Sequence, residues 1–251
     1  MKRRFGAILA AALLSVPGTQ ARAIEKEAAA VLDKAIVALG GEEKLARAGT
    51  ATWKGKGTIT FNDNENPIEI RTTVQGIDRH RAEFEGDFNG NTVKGVTVLA
   101  GDKGWRRLGD ETQDLDGEAL AIERRRAYLQ AVPATILPLK AEGFKVEAAA
   151  DDKVGERPAA VLKVTGPDGK DFKLWFDKES GLPVKLTATV KGFQGEDYAQ
   201  ETTFGDYKDF GGIKRAAKAE SKRDGNPFVK LEITEFKAVD KPDAGSFVEP
   251  K

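Results

Sequence analysis

The sequence predicts an α+β fold, in which a short helical segment is followed by a curled antiparallel sheet that is interrupted once by a helical insert. Three observations carry this. Apolar residues recur near every 3.6 positions between residues 28 and 39, the period then changes to 2, and short glycine-rich turns separate the alternating runs. Connections that short make neighbouring strands antiparallel.

The first residues carry a separate signal. Lys2-Arg3-Arg4, the apolar run Phe5 to Val16 and the small-x-small Ala21-Arg22-Ala23 form the three-part pattern of an export leader. The apolar run falls short of the roughly 20 residues that span a bilayer. A cleaved leader at 1–23 and a single domain at 24–251 are therefore expected, with no membrane span once the leader is removed. With no cysteine in the chain, nothing can accept a lipid or form a disulfide, so the expected product is a soluble, non-lipidated protein of the periplasm. The leader holds four of the 40 basic residues and none of the 40 acidic ones, which leaves the remainder at −4. That balance disfavours nucleic acid and anionic lipid surfaces as partners, since both need a basic patch.

Within the expected domain, Ala28, Val31, Leu32, Ala35, Ile36 and Leu39 form one helical stripe, which Gly40-Gly41 stops. A short second helix is expected over Glu42 to Ala48. From Thr52 to Phe61 the chain alternates, with Trp53, Gly55, Gly57, Ile59 and Phe61 on one face. From Arg79 to Phe88 the alternation is stricter, and a slip of one residue would bury five charges. Further strands are expected at Thr92 to Ala100, Gly104 to Leu108, Phe144 to Ala148, Ala159 to Thr165, Asp171 to Asp177, Val184 to Lys191, Tyr198 to Phe204, Ile213 to Glu220 and Pro227 to Phe236. Gly55, Gly57 and Gly86 sit on apolar faces, where a missing side chain lets a sheet bend or another backbone come close. The insert at Asp116 to Leu139 offers an N-cap aspartate and a helix to about Ala131. Its apolar residues form no clean stripe, because the charged block Glu123 to Arg126 interrupts them. It either caps the hollow of the curled sheet or packs on an ordinary core.

Catalytic groups are scarce. One histidine, His80, cannot make a two-histidine metal site, and its inward position suits a satisfied core imidazole. Ser180, Ser221 and Ser246 lie in no nucleophile elbow. Asp63-Asn64-Glu65-Asn66 lacks the last carboxylate of a calcium loop and reads as a hairpin turn, and Asp151-Asp152 falls in an expected turn. No cofactor is expected and no catalysis, with an envelope hydrolase using His80 as the remaining enzymatic class. The aromatics say more. Trp53, Ile59, Phe61, Phe84, Phe88 and Trp105, with Leu120, Tyr128, Ile136 and Leu137 of the insert, either line a hydrophobic pocket or form an ordinary core. Trp175 lies among charges opposite Phe172, Leu174 and Phe176, where it is either shielded by lysine stems or open to a partner.

Val98-Leu99-Ala100-Gly101-Asp102-Lys103-Gly104-Trp105 resembles a strand-turn-strand segment of the periplasmic lipoprotein-localisation factors of the LolA/LolB type. Phe172 to Asp177, continuing through Gly181-Leu182-Pro183-Val184, resembles that family's hairpin, and Tyr207 to Ile213 and Phe247 to Pro250 add shorter matches. The resemblance implies an incomplete β-barrel, here of about 10–11 strands, with an N-terminal helix and a helical lid in the concavity. It also implies non-catalytic binding or carriage of lipid or lipoprotein acyl chains. A sensor that binds an envelope protein through its outer face, Trp175 included, is the alternative within the same fold. One departure is visible: Gly76 stands where the carrier's functional arginine precedes the turn into the third strand, and Arg79 and Arg81 point outward.

Overall fold

The structure, a computed structural model, describes residues 17–192 and 195–251, with side chains from residue 25 onward. The expected leader therefore lies mostly outside the described residues; only Pro17 to Ala23 are seen, as backbone of the first helix. That helix, α1 (Pro17–Leu39), is followed by α2 (Glu42–Ala48). Its stripe is as expected, with Ala28, Leu32, Ala35, Ile36 and Leu39 all buried. Gly40, at φ +129°, turns the chain where an added Cβ would lie 2.3 Å from the Gly212 carbonyl oxygen, so α1 ends hard against the sheet.

The sheet has thirteen strands among the described residues, against the 10–11 expected. They are β1 (Thr50–Phe61), β2 (Asn64–Gln75), β3 (Arg79–Phe88), β4 (Asn91–Ala100), β5 (Lys103–Leu108) and β6 (Glu111–Asp114), then β7 (Lys145–Val154), β8 (Arg157–Thr165), β9 (Asp171–Asp177), β10 (Pro183–Lys191), β11 (Asp197–Asp209), β12 (Lys214–Arg223) and β13 (Asn226–Ala238). The uncounted strands are β2 and β6. Phe61 pairs with Asn64 across a two-residue turn in which Asn62 and Asp63 both have positive φ, so the polar run after Asp63 already belongs to β2. All four residues of β6 are exposed, which leaves no alternation to read.

The order β6-β5-β4-β3-β2-β1-β13-β12-β11-β10-β9-β8-β7 is two meanders joined by the antiparallel pair β1–β13, and the edges β6 and β7 do not pair with each other. The barrel is left open. Between β6 and β7 the chain must travel from one edge to the other, and it does so through α3 (Gly117–Thr135) and a 3₁₀ turn (Leu137–Lys140). The insert is thus the connection between the two sheet edges. Helix α3 runs four residues past the expected end at Ala131, with Pro133 inside it, because Val132, Pro133 and Ile136 are buried in the core. It stops at Ile136, whose φ is +62°.

The main core lies on the concave face. Leu32, Ile36 and Leu39 of α1 and Tyr128 and Val132 of α3 pack on Leu162, Val164, Phe172, Leu174, Phe176 and Leu186 of the second meander, and on Trp53 and Val74 of the first. The C-terminal residues reach the outer face of the first meander, where Arg79 stacks on Phe247 and Thr112 Oγ1 donates to the Pro250 carbonyl.

Candidate functional site

The inward register of the first meander builds an apolar floor. Leu108, Gly95, Phe84, Ile70, Gly55 and Ile233 stand side by side across six strands, and the next row is Val93, Gly86, Ile68, Gly57, Leu231 and Ala219. Ile59 and Val229 extend it towards the hairpin tips, where Phe61 meets Phe88 edge to face at 6.4 Å. Small and large residues alternate: an added Cβ on Gly95 would sit 2.2 Å from the Phe84 ring, so that ring lies over the glycine. At this end the floor is open. Phe61 is 54% exposed and Leu108 53%, and Ile59, Ile68, Phe84, Phe88 and Leu231 are only partly buried. Four of the expected ligand residues, Ile59, Phe61, Phe84 and Phe88, therefore come together. Ile68, Ile70, Val93, Leu108, Val229 and Leu231 were not anticipated; the strict alternation of Ile68, Ile70, Thr72 and Val74 in β2 was the signal that could have found the first two.

The residues expected from the insert lie elsewhere. Leu120 packs on Leu99 and over Gly104. Ile136 and Tyr128 are core, and Leu137 is partly buried against it. Between helices and sheet lies a crevice of about 40 Å³ lined by Ala48, Gly49, Trp53, Gly76, Pro138 and Arg215, among others. Of the two readings of the insert, a packed core describes its second half.

A polar network pins α3. Arg125 Nε donates to the Thr189 carbonyl and Nη2 to that of Asp171, each at 3.0 Å, and Nη1 pairs with Asp168 Oδ2, also at 3.0 Å. The Tyr128 hydroxyl donates to Asp168 Oδ1 at 2.7 Å and also contacts Arg125 Nη1. Burial raises the Tyr128 pKa, and its bond to Asp168 adds to the rise. For Asp168 burial pulls upward, yet the Tyr128 hydroxyl, the Lys170 amide and Arg125 together hold its carboxyl below the usual range. Glu123 forms ion pairs with both Arg106 and Arg126. Within the charged block that interrupts the apolar stripe, Glu123 and Arg125 are thus buried and matched.

His80 corrects an expectation. It is 7% exposed on the concave face of β3, but its Nε2 has no hydrogen-bond partner, so the imidazole is not fully satisfied. Burial pushes its pKa below the ordinary 6.5, against the opposing pull of the Gln130 side chain and the Glu123 charge from α3. A base whose folded pKa is depressed takes up protons in the unfolded state first, so stability is fully present above pH 6.5 and lost as pH falls from there towards the folded pKa. Urea unfolding at pH 7.5 and pH 5.5 should show a decrease of about 1 kcal/mol, and His80→Phe should flatten that dependence. An unchanged slope in the variant would remove His80 as its source. Of the serines, Ser180 donates to Asp177 and Ser221 shares a bond with Thr202.

One tryptophan differs from the expectation, and the other follows one of its two alternatives. Trp105 pairs with Val98 and Asp114 and faces outward, because Gly104 takes the inward position opposite Leu99. Trp175 does face outward but is only 6% exposed: its Nε1 donates to Asp152 Oδ2 at 2.9 Å, and Lys185 Nζ stands 4.2 Å from its ring centre. Shielding holds, and the open surface that a partner would need at Trp175 is missing. Asp151 and Asp152 belong to β7, not a turn, and are occupied by Lys178 and Trp175. Among the described residues no group of three potential ligands could hold a metal. A cleft of about 770 Å³ is lined by the outward charged row Lys56, Glu69, Glu85, Lys218, Lys230 and Glu232 and also by Gly57, Ile68, Gly86 and Leu231 of the second floor row.

No family model matches the sequence, and no curated protein matches it. Solved structures do match in fold. A domain named as an outer membrane lipoprotein-sorting protein, from Vibrio parahaemolyticus, is 11% identical with a TM-score of 0.55, covering 88% of this chain and 96% of its own. A LolA superfamily protein from Nitrosomonas europaea is 13% identical with a TM-score of 0.58, covering 88% and 97%. A DUF1329 family protein from Desulfovibrio piger is 12% identical with a TM-score of 0.53, covering 87% and 94%. The chain has the fold of these LolA-like structures, over nearly their whole length. Among the described residues no helix is long and apolar enough to cross a membrane.

Proposed function

We propose that this protein is exported to the periplasm and there binds or carries the acyl chains of a lipid or lipoprotein, without catalysis. The observation that carries the reading is the open concave floor: two of its apolar residues, Phe61 and Leu108, are more than half exposed at the hairpin-tip end, with partly buried Ile59, Ile68, Phe84, Phe88 and Leu231 beside them. A continuous apolar surface kept in water is costly, at about 25 cal/mol per Å², and a hydrocarbon laid on it recovers that cost. The fold shared with a LolA superfamily protein and a lipoprotein-sorting domain supports the same assignment, as do the leader pattern and the absence of cysteine.

The purified protein should bind a fluorescent fatty acid saturably, and solvent extraction of native protein should release lipid. Ile68→Asp places a charge on the middle of the floor and should weaken binding about tenfold, or 1.4 kcal/mol, with little change in melting temperature because Ile68 is only partly buried. No saturable binding, together with a lipid-free extract, would sink the proposal.

A further inference from the structure

The concave surface does not stay apolar from β1 to β11. The register line that starts at Ile59 continues through Val229 of β13 to Ser221 of β12 and Thr202 of β11, so two hydroxyls follow two hydrocarbons. Arg223 and Gln200, paired across β12 and β11, stand two residues nearer the hairpin tips on the same faces. Gln200, Thr202, Ser221, Arg223, Phe228 and Val229 are all only partly buried, as the neighbouring floor is. The open end of the hollow is therefore apolar along the first meander and polar where β11 and β12 reach it.

Arg223 is held along one edge only. Its guanidinium carbon lies 3.6 Å from the Phe228 ring centre and 5.1 Å from that of Tyr198, and its Nε donates to Gln200 Oε1 at 3.3 Å. Gln200 is itself oriented, because its amide donates to Thr202 Oγ1 at 3.5 Å and Thr202 shares a hydrogen with Ser221 at 2.9 Å. Stacking and the Nε bond fix the plane of the guanidinium, while among the described residues its two terminal nitrogens meet no acceptor and no carboxylate pairs with it. Its charge is also crowded: burial, and after it the Arg126 charge from α3, lower its pKa against the pull of Tyr198 and Glu196. A planar fork with both outer donors unused matches the two oxygens of a carboxylate or a phosphate.

We propose that the ligand is an anionic amphiphile whose carboxylate or phosphate pairs with the outer edge of Arg223 at the open end of the hollow, while its hydrocarbon lies on the adjoining floor of Val229, Ile59 and Ile68. This rests on the acyl-binding reading and narrows it to chains that carry a negative head. The head stays at the water-facing rim and the tail lies on hydrocarbon, so neither part of the ligand is forced into the wrong surroundings. Because water reaches this rim, the ion pair selects among heads by only about fivefold, the upper end for an exposed pair, and the tail supplies most of the affinity.

Laurate, dodecyl phosphate, dodecanol and dodecyltrimethylammonium share one tail and differ in the head. Below their micellar concentrations at pH 7.5, each is measured by displacement of a neutral fluorescent hydrocarbon probe. The wild-type protein should bind at least one of the two anions about fivefold more tightly than dodecanol, with the cation no tighter than the alcohol, and the tighter anion tells a carboxylate ligand from a phosphate one. Arg223→Gln should lose the preference and keep the dodecanol affinity. Arg223→Met, which leaves a stem against Phe228, carries the same expectation should the glutamine variant fail to fold. Equal binding of the anions and dodecanol by the wild type overturns the anion proposal and leaves the acyl-binding reading intact; so does a cation bound as tightly as the anions, or an undiminished preference in the folded variant. No binding of any of the four ends both.

Discussion

Arg125→Ala is expected to cost about 3–5 kcal/mol of folding stability, the range for removing one partner of a buried ion pair. The magnitude follows from what is left behind. Asp168 loses its pair, the carbonyls of Thr189 and Asp171 lose their donors, and the Tyr128 hydroxyl loses a neighbour, all at the contact of α3 with β9 and β10. Because α3 is the crossing between the two sheet edges, its loosening should precede global unfolding, and hydrogen exchange in α3 should accelerate more than in β8 or β9. Asp168→Asn, which keeps an acceptor for Tyr128, should cost less. The result is read from urea denaturation with a linear extrapolation; a loss under 1 kcal/mol would mean that water replaces the whole network and that packing, not this arginine, holds the helix.

That network also shows where the sequence could be read and where it could not. β3 was legible because any other register would bury Arg79, Arg81, Glu83, Glu85 and Asp87. α1 was legible because its stripe is continuous. In α3 the charges at 123, 125 and 126 look like a solvated face until their partners arrive from β5, β9 and β10, and no local pattern announces a partner 43 residues away at Asp168. β2 was hidden by Pro67, which demotes a strand, yet the proline lies just before the pairing with β3 begins at Ile68. Trp105 was assigned inward by residue type, but facing is a matter of parity, and Gly104 holds the inward position. Parity also marks Arg215 and Arg223, which share a face with Ala217, Ala219 and Ser221; arginines in the less polar half of an alternating run were the sign of charge on the concave side.

Gly57→Ala is the backbone counterpart and should cost about 3 kcal/mol or more, placing it among the most damaging single substitutions. The curl of the sheet is at stake here. An ideal Cβ at Gly57 would lie 1.8 Å from the Lys230 carbonyl oxygen and 2.9 Å from the Leu231 Cα, and at Gly55 it would lie 2.9 Å from the Glu232 carbonyl oxygen. These are backbone atoms, so no rotamer relieves the overlap, and β1 must move away from β13. That pair joins the two meanders, so opening it flattens the hollow and separates Trp53 from Phe236. Two other glycines calibrate the effect. Gly86 would meet the Phe88 ring at 2.8 Å, a side chain that can turn aside, so Gly86→Ala should cost about 1–2 kcal/mol. Gly205 meets nothing within 4 Å, and Gly205→Ala should be neutral or stabilise by up to about 1 kcal/mol through the unfolded chain. The urea midpoints should therefore fall in the order Gly205→Ala, Gly86→Ala, Gly57→Ala, and the last should also lose acyl binding out of proportion to its stability. A Gly57→Ala protein as stable as Gly205→Ala would show that β13 tolerates a side chain there, and the bend at these glycines would no longer account for the hollow.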